Sequence, residues 1–88
     1  MIKEQVAIRN RAGLHTRPAA MLVKTASSFT SEIHLVKDGF HVNAKSIIGV
    51  MTLAAECGST LMLEVNGPDE QAAHVAIAEL FSSGFGEE

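Results

Sequence analysis

Tryptophan and tyrosine are absent from this 88-residue sequence, and cysteine occurs once, at Cys57. A single cysteine has no partner for an intramolecular disulfide and cannot form a cysteine zinc cluster, which fits a reducing compartment. The sequence also has no apolar leader and no uninterrupted apolar run of the roughly 20 residues that a membrane-spanning helix needs. We therefore predict a cytoplasmic protein that does not insert into membranes.

Strong positive charge is lacking as well. The seven lysines and arginines are outnumbered by ten aspartates and glutamates, and the formal net charge is −3. Because binding to a phosphate backbone needs clustered cations, we expect no nucleic-acid binding. All three arginines, Arg9, Arg11 and Arg17, lie close to one histidine in the sequence. This asymmetry predicts that an acidic partner surface docks near that histidine.

The residues that are present predict one ordinary globular domain. The hydrophobic content is 47%, and 88 residues are too few to enclose a second core, so the domain spans residues 1–88. Alternating apolar residues predict strands, and apolar residues at helical spacing predict helices. The predicted strands lie at 2–8, 32–35, 40–42 and 60–65, and the predicted helices lie at 16–27, 47–53 and 70–81. This order predicts an α+β open-faced sandwich.

Several local signals refine these elements. Asp38-Gly39 is typical of a two-residue hairpin turn, and it places Leu35 opposite Val42 on the buried side. Ser46 is predicted to cap the short second helix, and Asp69 is predicted to cap the last one. Beyond the last helix, residues 82–88 are rich in serine, glycine and glutamate, and we expect them to fray.

The segment Gly13-Leu14-His15-Thr16-Arg17-Pro18-Ala19 carries the clearest chemical signal. A histidine just before a helix lies beside backbone N–H groups that have no intrahelical partner, and the helix dipole favours negative charge there. Its neutral imidazole is a nucleophile, and Arg17 adds a permanent cation. On base rates alone a lone histidine in this place is only a polar cap. The surrounding residues favour a phosphate site instead.

This segment resembles the active-site loop of the HPr family, the histidine-containing phosphocarrier proteins of the phosphoenolpyruvate-dependent phosphotransferase system. The segment from Asn43 to Met51, NAKSIIGVM, resembles the regulatory-serine segment of the same family. The resemblance spans nearly the whole chain. It implies a four-stranded antiparallel sheet in the order 1-4-2-3, covered on one face by three helices.

The resemblance also implies a function. His15 would accept a phosphoryl group from phospho-enzyme I and pass it to EIIA sugar-permease subunits. The backbone N–H groups of Thr16 and Arg17 are suited to binding the phosphate, and the Arg17 side chain is suited to neutralising its charge. No general base, metal-ligand set or substrate cavity is visible in the sequence. We therefore predict a monomeric phosphoryl carrier that is not itself an enzyme and has no cofactor or metal.

A docking surface around the histidine is implied in the same way. Its residues are Thr16, Ala20, Val23, Ile47, Ile48 and Met51. Burial preferences leave Val23 and Ile47 equally compatible with a place in the core. Met51 is the better surface candidate, because methionine adapts to several partner shapes.

Ser46 has two compatible roles. Serine is a favoured helix cap, and the family precedent adds ATP-dependent phosphorylation by an HPr kinase/phosphorylase, with transcriptional regulators as further partners. Two alternatives to a sugar-system carrier stay open: a carrier of the nitrogen-type or regulatory branch, and a signalling protein that acts mainly through the Ser46 surface. The purely regulatory relative in this family lacks a histidine at the position of His15, which argues against the second alternative.

Overall fold

The computed structural model describes residues 1–87 and contains four strands, three α-helices and a short 3-10 turn. In chain order these are β1 (Ile2–Ala7), α1 (Thr16–Ser27), β2 (Glu32–Lys37), β3 (Phe40–Asn43), α2 (Ile47–Thr52), β4 (Thr60–Asn66), α3 (Glu70–Ser82) and the 3-10 turn (Gly84–Gly86). The strands form one antiparallel sheet in the order β1-β4-β2-β3. Both the predicted element order and the implied strand order are confirmed.

The hairpin between β2 and β3 has the predicted turn and register. Asp38 and Gly39 both adopt positive φ angles, 50° and 83°, as a two-residue turn of this kind requires. Leu35 lies opposite Val42, as predicted. Because a slip of one residue would turn every side chain to the other face, this turn fixes which residues of β2 enter the core.

The core lies between one face of the sheet and the helices. Leu61, Leu63 and Val65 of the central strand β4 are buried, and the alternate positions of that strand point to the other face. α1 and α3 cover the sheet with residues at helical spacing, among them Leu22 and Ile77. The sheet and the helices thus enclose one apolar core. No helix within residues 1–87 has the length and apolar character needed to cross a membrane.

The predicted capping role of Asp69 is wrong. Asp69 occupies the position before α3, but its side chain makes no cap hydrogen bond. Its carboxylate instead accepts the backbone N–H groups of Thr30 and Ser31, each at 2.9 Å, and the Ser31 hydroxyl. Three donors from the loop before β2 are available to this carboxylate, and together they outweigh the one or two N–H groups that a cap satisfies.

The expectation that the chain frays after α3 is also wrong for the described part of that segment. Phe85 is 2% exposed and packs edge-to-face against Phe81, with ring centroids 5.0 Å apart. Phe85 adopts a left-handed backbone conformation, φ 57° and ψ 26°, which costs an L-residue about 1–2 kcal/mol. Burying a phenylalanine gains about 1.5–3 kcal/mol, so packing determines the conformation. Glu88 lies outside the described residues.

The Asp69 contacts predict a specific acid sensitivity. Hydrogen bonds from Ser31 and Thr30 lower the pKa of Asp69 from 3.8 to about 2. A lowered carboxyl pKa stabilises the fold above the unfolded value of 3.8, and that contribution is lost as the pH falls through about 2. In urea unfolding at a series of pH values, Asp69→Asn should therefore lose less stability over this interval than the parent protein.

Asp38→Asn is the matched control, because it changes the same atoms in the exposed hairpin turn, where asparagine tolerates a positive φ equally well. It should retain the acid sensitivity of the parent. An Asp69→Asn curve parallel to that of the parent would show that the contacts with Thr30 and Ser31 do not make stability depend on the ionisation of Asp69.

Candidate functional site: the start of α1

His15 is the residue immediately before α1, and its backbone is extended, with φ −81° and ψ −172°. Its carbonyl accepts the first helical hydrogen bond from the N–H of Ala19 at 3.0 Å, but its side chain makes no cap hydrogen bond. The imidazole is 43% exposed. The polar-cap interpretation is therefore wrong, and the ring is accessible to a partner.

The loop before His15 is held close to the body of the protein. Gly13 has φ +75°, and a Cβ at this position would lie 2.5 Å from the carbonyl oxygen of Ala55. The next residue, Leu14, is buried and donates its N–H to that same carbonyl at 2.9 Å. Only glycine combines the positive φ with this close approach. The position of the His15 backbone is consequently fixed from both sides, by Leu14 and by α1.

Donors for an anion surround the ring. The N–H groups of Thr16 and Arg17 precede the first intrahelical hydrogen bond, so neither has a partner within the helix. Pro18, which has no N–H, follows them and is buried. The Arg17 side chain is exposed and makes no hydrogen bond or ion pair within residues 1–87. The start of α1 can therefore bind a phosphate-sized anion beside the imidazole.

A carboxylate that the sequence reasoning missed also contacts the ring. Glu87 Oε1 lies 3.1 Å from His15 Nε2 and accepts a hydrogen bond from Asn10 Nδ2 at 3.0 Å. The hydrogen bond with His15 is the main cause that lowers the pKa of Glu87, and Asn10 and the charge of Arg17 add to the effect. The one signal in the sequence was Phe85, an apolar residue four positions after Phe81 within a polar tail.

The predicted docking residues lie on α1 and α2, which pack against each other, and Ser46 is the residue immediately before α2. Ser46 caps α2 as predicted, because its Oγ accepts the N–H of Gly49 at 3.2 Å. Ile48 is 77% exposed, and Ile47 and Met51 are exposed as well. On α1, Thr16 and Ala20 are exposed and Val23 is half-buried. Ile47 thus lies at the surface, whereas Val23 packs partly against the core.

Comparisons with known proteins identify the family to which this chain belongs. Residues 2–83 match the PTS-HPr family, described as the PTS HPr component phosphorylation site. The phosphocarrier protein HPr of Treponema pallidum (strain Nichols) is 57% identical over 88 residues, which cover 100% of both chains. The crystal structure of HPr-C-His from Thermoanaerobacter tengcongensis has a TM-score of 0.96 and 46% identity, and the match covers 100% of this chain and 99% of that one.

A third relative is described by its regulatory role and its assembly. The crystal structure of the Bacillus subtilis catabolite repression protein Crh, described as a dimer with a swapping domain, has a TM-score of 0.77 and 43% identity. That match covers 96% of this chain and 97% of the other. The family match and the full-length identity show that this chain belongs to the HPr family of phosphocarrier proteins of the phosphotransferase system.

Proposed function

We propose that His15 accepts a phosphoryl group from phospho-enzyme I and transfers it to EIIA sugar-permease subunits. The observation that carries the proposal is the exposed imidazole at the start of α1, which makes no cap hydrogen bond. It lies beside the N–H groups of Thr16 and Arg17, which have no partner within the helix. The chain acts as a carrier, and the catalytic machinery belongs to its donor and acceptor. Such a relay operates in the cytoplasm. We also propose that the chain works as a monomer, since β1 pairs along its length with β4 of the same chain.

The chemistry of acceptance needs one nitrogen lone pair. An ionised carboxylate can only accept hydrogen bonds, so the contact with Glu87 favours the neutral tautomer that has its proton on Nε2 and its lone pair on Nδ1. Nδ1 attacks the phosphorus atom, a nitrogen–phosphorus bond forms, and the bond from phosphorus to the donor breaks. Transfer to EIIA is the reverse process, with the imidazole as the leaving group.

The phosphate is stabilised only moderately, as a carrier requires. Thr16 and Arg17 offer backbone donors, and the exposed Arg17 side chain offers a positive charge to the phosphate oxygens. Water reaches this surface and weakens each of these interactions. A phosphate bound at such a site leaves readily when an acceptor docks.

We propose that partners dock on the surface formed by Thr16, Ala20, Val23, Ile47, Ile48 and Met51. Exposed apolar side chains on a protein surface favour association, and Ile48 is the most exposed of the three apolar residues that α2 contributes to this set. The exposed Arg9, Arg11 and Arg17 add positive charge near His15 and favour a partner whose surface is acidic.

Ser46 is the proposed regulatory site, with an HPr kinase/phosphorylase as the enzyme that modifies it and transcriptional regulators as further partners. A phosphate on Ser46 gains from the helix start of α2 and adds about two negative charges beside Ile47 and Ile48. These charges repel an acidic partner, so phosphorylation of Ser46 opposes transfer to His15.

This proposal predicts two distinct results for variants of Ser46. With ATP and an HPr kinase, the parent should gain an acid-stable phosphate and then accept phosphate from enzyme I at least tenfold more slowly, since repulsion costs several kcal/mol at an interface. Ser46→Ala should gain no acid-stable phosphate, keep the parental rate from enzyme I, and lose about 1 kcal/mol of stability with the cap. If the parent protein gains no acid-stable phosphate in this assay, Ser46 has only its capping role.

The test of the carrier function is a relay assay with labelled phosphoenolpyruvate and purified enzyme I. We expect an acid-labile phosphate on the chain, which disappears when an EIIA subunit is added. Parallel chases with sugar-type and nitrogen-type acceptors distinguish the two branches. Absence of acid-labile phosphate would contradict the proposal and leave the signalling role through the Ser46 surface as the alternative.

A further inference from the structure

We infer that Glu87 is a positioning residue for His15, and that Asn10 in turn positions Glu87. This inference rests on the proposed function, since it concerns how the ring is presented to a phosphoryl donor. It deepens that function by adding two residues outside the Gly13–Ala19 and Asn43–Met51 segments. Three observations carry it: the anchored tail, the buried amide and the contact with the ring.

The tail that carries Glu87 is fixed in place. Phe85 is buried against Phe81, and the N–H of Glu87 is donated to the carbonyl of Gly84 at 2.9 Å. Gly84 is itself buried and lies next to Asn10, since a Cβ on it would be 3.6 Å from the backbone nitrogen of Asn10. Glu87 therefore approaches the start of α1 from an ordered segment.

Asn10 joins this tail to the loop that carries His15. It is fully buried, and its Nδ2 donates to the carbonyl of Gly13 at 2.7 Å and to Glu87 Oε1 at 3.0 Å. Turning the amide over would bring its oxygen against these two acceptors, so the orientation is determined. Its Oδ1 has no hydrogen-bond partner within residues 1–87. The fold thus keeps a buried, incompletely satisfied amide whose two donors connect the His15 loop to Glu87.

Glu87 acts on the ring in two ways. Accepting the Nε2 proton orients the imidazole and keeps the lone pair on Nδ1. When Nδ1 bonds to phosphorus, the ring becomes a cation that keeps its Nε2 proton. The negative carboxylate of Glu87, 3.1 Å from Nε2, stabilises that positive charge. No proton has to leave the ring in this step. Arg17 is the permanent cation that acts on Glu87 here, and His15 and Asn10 supply hydrogen bonds to its carboxylate.

The test compares Glu87→Gln with Glu4→Gln in the full chain. Glu87→Gln preserves the size of the side chain and an acceptor oxygen but removes the charge. Glu4→Gln is the matched control, because Glu4 Oε1 contacts His74 Nε2 at 2.6 Å in another glutamate–histidine pair. Nitrogen-15 NMR of the histidine rings reports the tautomer, and steady-state assays with enzyme I report kcat and KM separately.

We expect the His15 ring of the parent to hold its proton on Nε2, and we expect Glu87→Gln to show a mixture of tautomers. Its kcat should fall at least tenfold with little change in KM, because a charge-assisted hydrogen bond to the reacting ring is lost. Glu4→Gln should match the parent in both measurements.

An unchanged tautomer together with an unchanged kcat in Glu87→Gln would overturn the inference. If the parent itself takes no phosphate from enzyme I, the proposed function fails, and the NMR comparison still decides whether Glu87 orients the ring. The two failures are thus distinguishable.

Discussion

His15→Ala should take no phosphate from enzyme I, which is the largest effect that the structure predicts. The substitution removes the only proposed nucleophile at the start of α1, and neither Thr16 nor Arg17 can replace a nitrogen lone pair. The fold should be almost unaffected, because the imidazole is 43% exposed and makes one hydrogen bond within residues 1–87. We expect a change in the free energy of unfolding within about 0.5 kcal/mol, measured by urea denaturation.

His41→Ala is the matched control for this experiment. His41 is an exposed histidine on β3, far along the chain from the start of α1. His41→Ala should accept phosphate from enzyme I to the same extent as the parent protein. Acid-labile phosphate on His15→Ala, or its loss from His41→Ala, would show that the phosphorylated residue is not His15.

Phe85→Ala should lower the free energy of unfolding by about 3 kcal/mol or more. Truncating a fully buried phenylalanine removes apolar burial and leaves a cavity, and such changes cost about 3–5 kcal/mol. The substitution also removes the edge-to-face contact between Phe85 and Phe81. Urea denaturation monitored by circular dichroism measures the change.

Phe40→Ala is the control, since Phe40 is 66% exposed at the start of β3. Its effect should be within about 0.5 kcal/mol. If Phe85→Ala and Phe40→Ala have equally small effects, the segment after α3 frays, and the ordered tail proposed to hold Glu87 does not exist. This result would therefore also bear on the positioning of His15.

The local elements were predictable because their signals are local. α1 runs from Thr16 to Ser27, as its helical spacing predicted, and Ser46 caps α2. The hairpin followed from Asp38-Gly39, since that pair suits the two positive φ angles of the turn. The strand order β1-β4-β2-β3 joins residues far apart in the chain, and periodicity carries no information about it. That order came from the resemblance to the HPr family.

The two errors share one physical cause. Asp69 and the tail after α3 were interpreted from their immediate neighbours, whereas their conformations are set by distant groups. Asp69 accepts donors from Thr30 and Ser31, and Phe85 is buried in the core. Tertiary contacts of this kind outweigh the local preferences for a cap or a flexible end.

The candidate site was predictable in part for the same reason. His15, Thr16 and Arg17 are adjacent in the sequence, so their motif could be recognised directly. Glu87 reaches the ring from 72 residues away, and its contact depends on the burial of Phe85 and on the orientation of Asn10. The spacing of Phe81 and Phe85 indicates a packed tail but not a contact between Glu87 and His15, because glutamate near the end of a polar tail is typical of a solvated segment.

Phosphorus-31 NMR of the chain after incubation with phosphoenolpyruvate and enzyme I tests the central proposal most directly. A carrier that acts through His15 should show a phosphoramidate resonance of phosphohistidine, which disappears when an EIIA subunit is added. A phosphoester resonance, or a phosphohistidine resonance that persists in the presence of both sugar-type and nitrogen-type acceptors, would contradict the proposal that His15 relays the phosphoryl group.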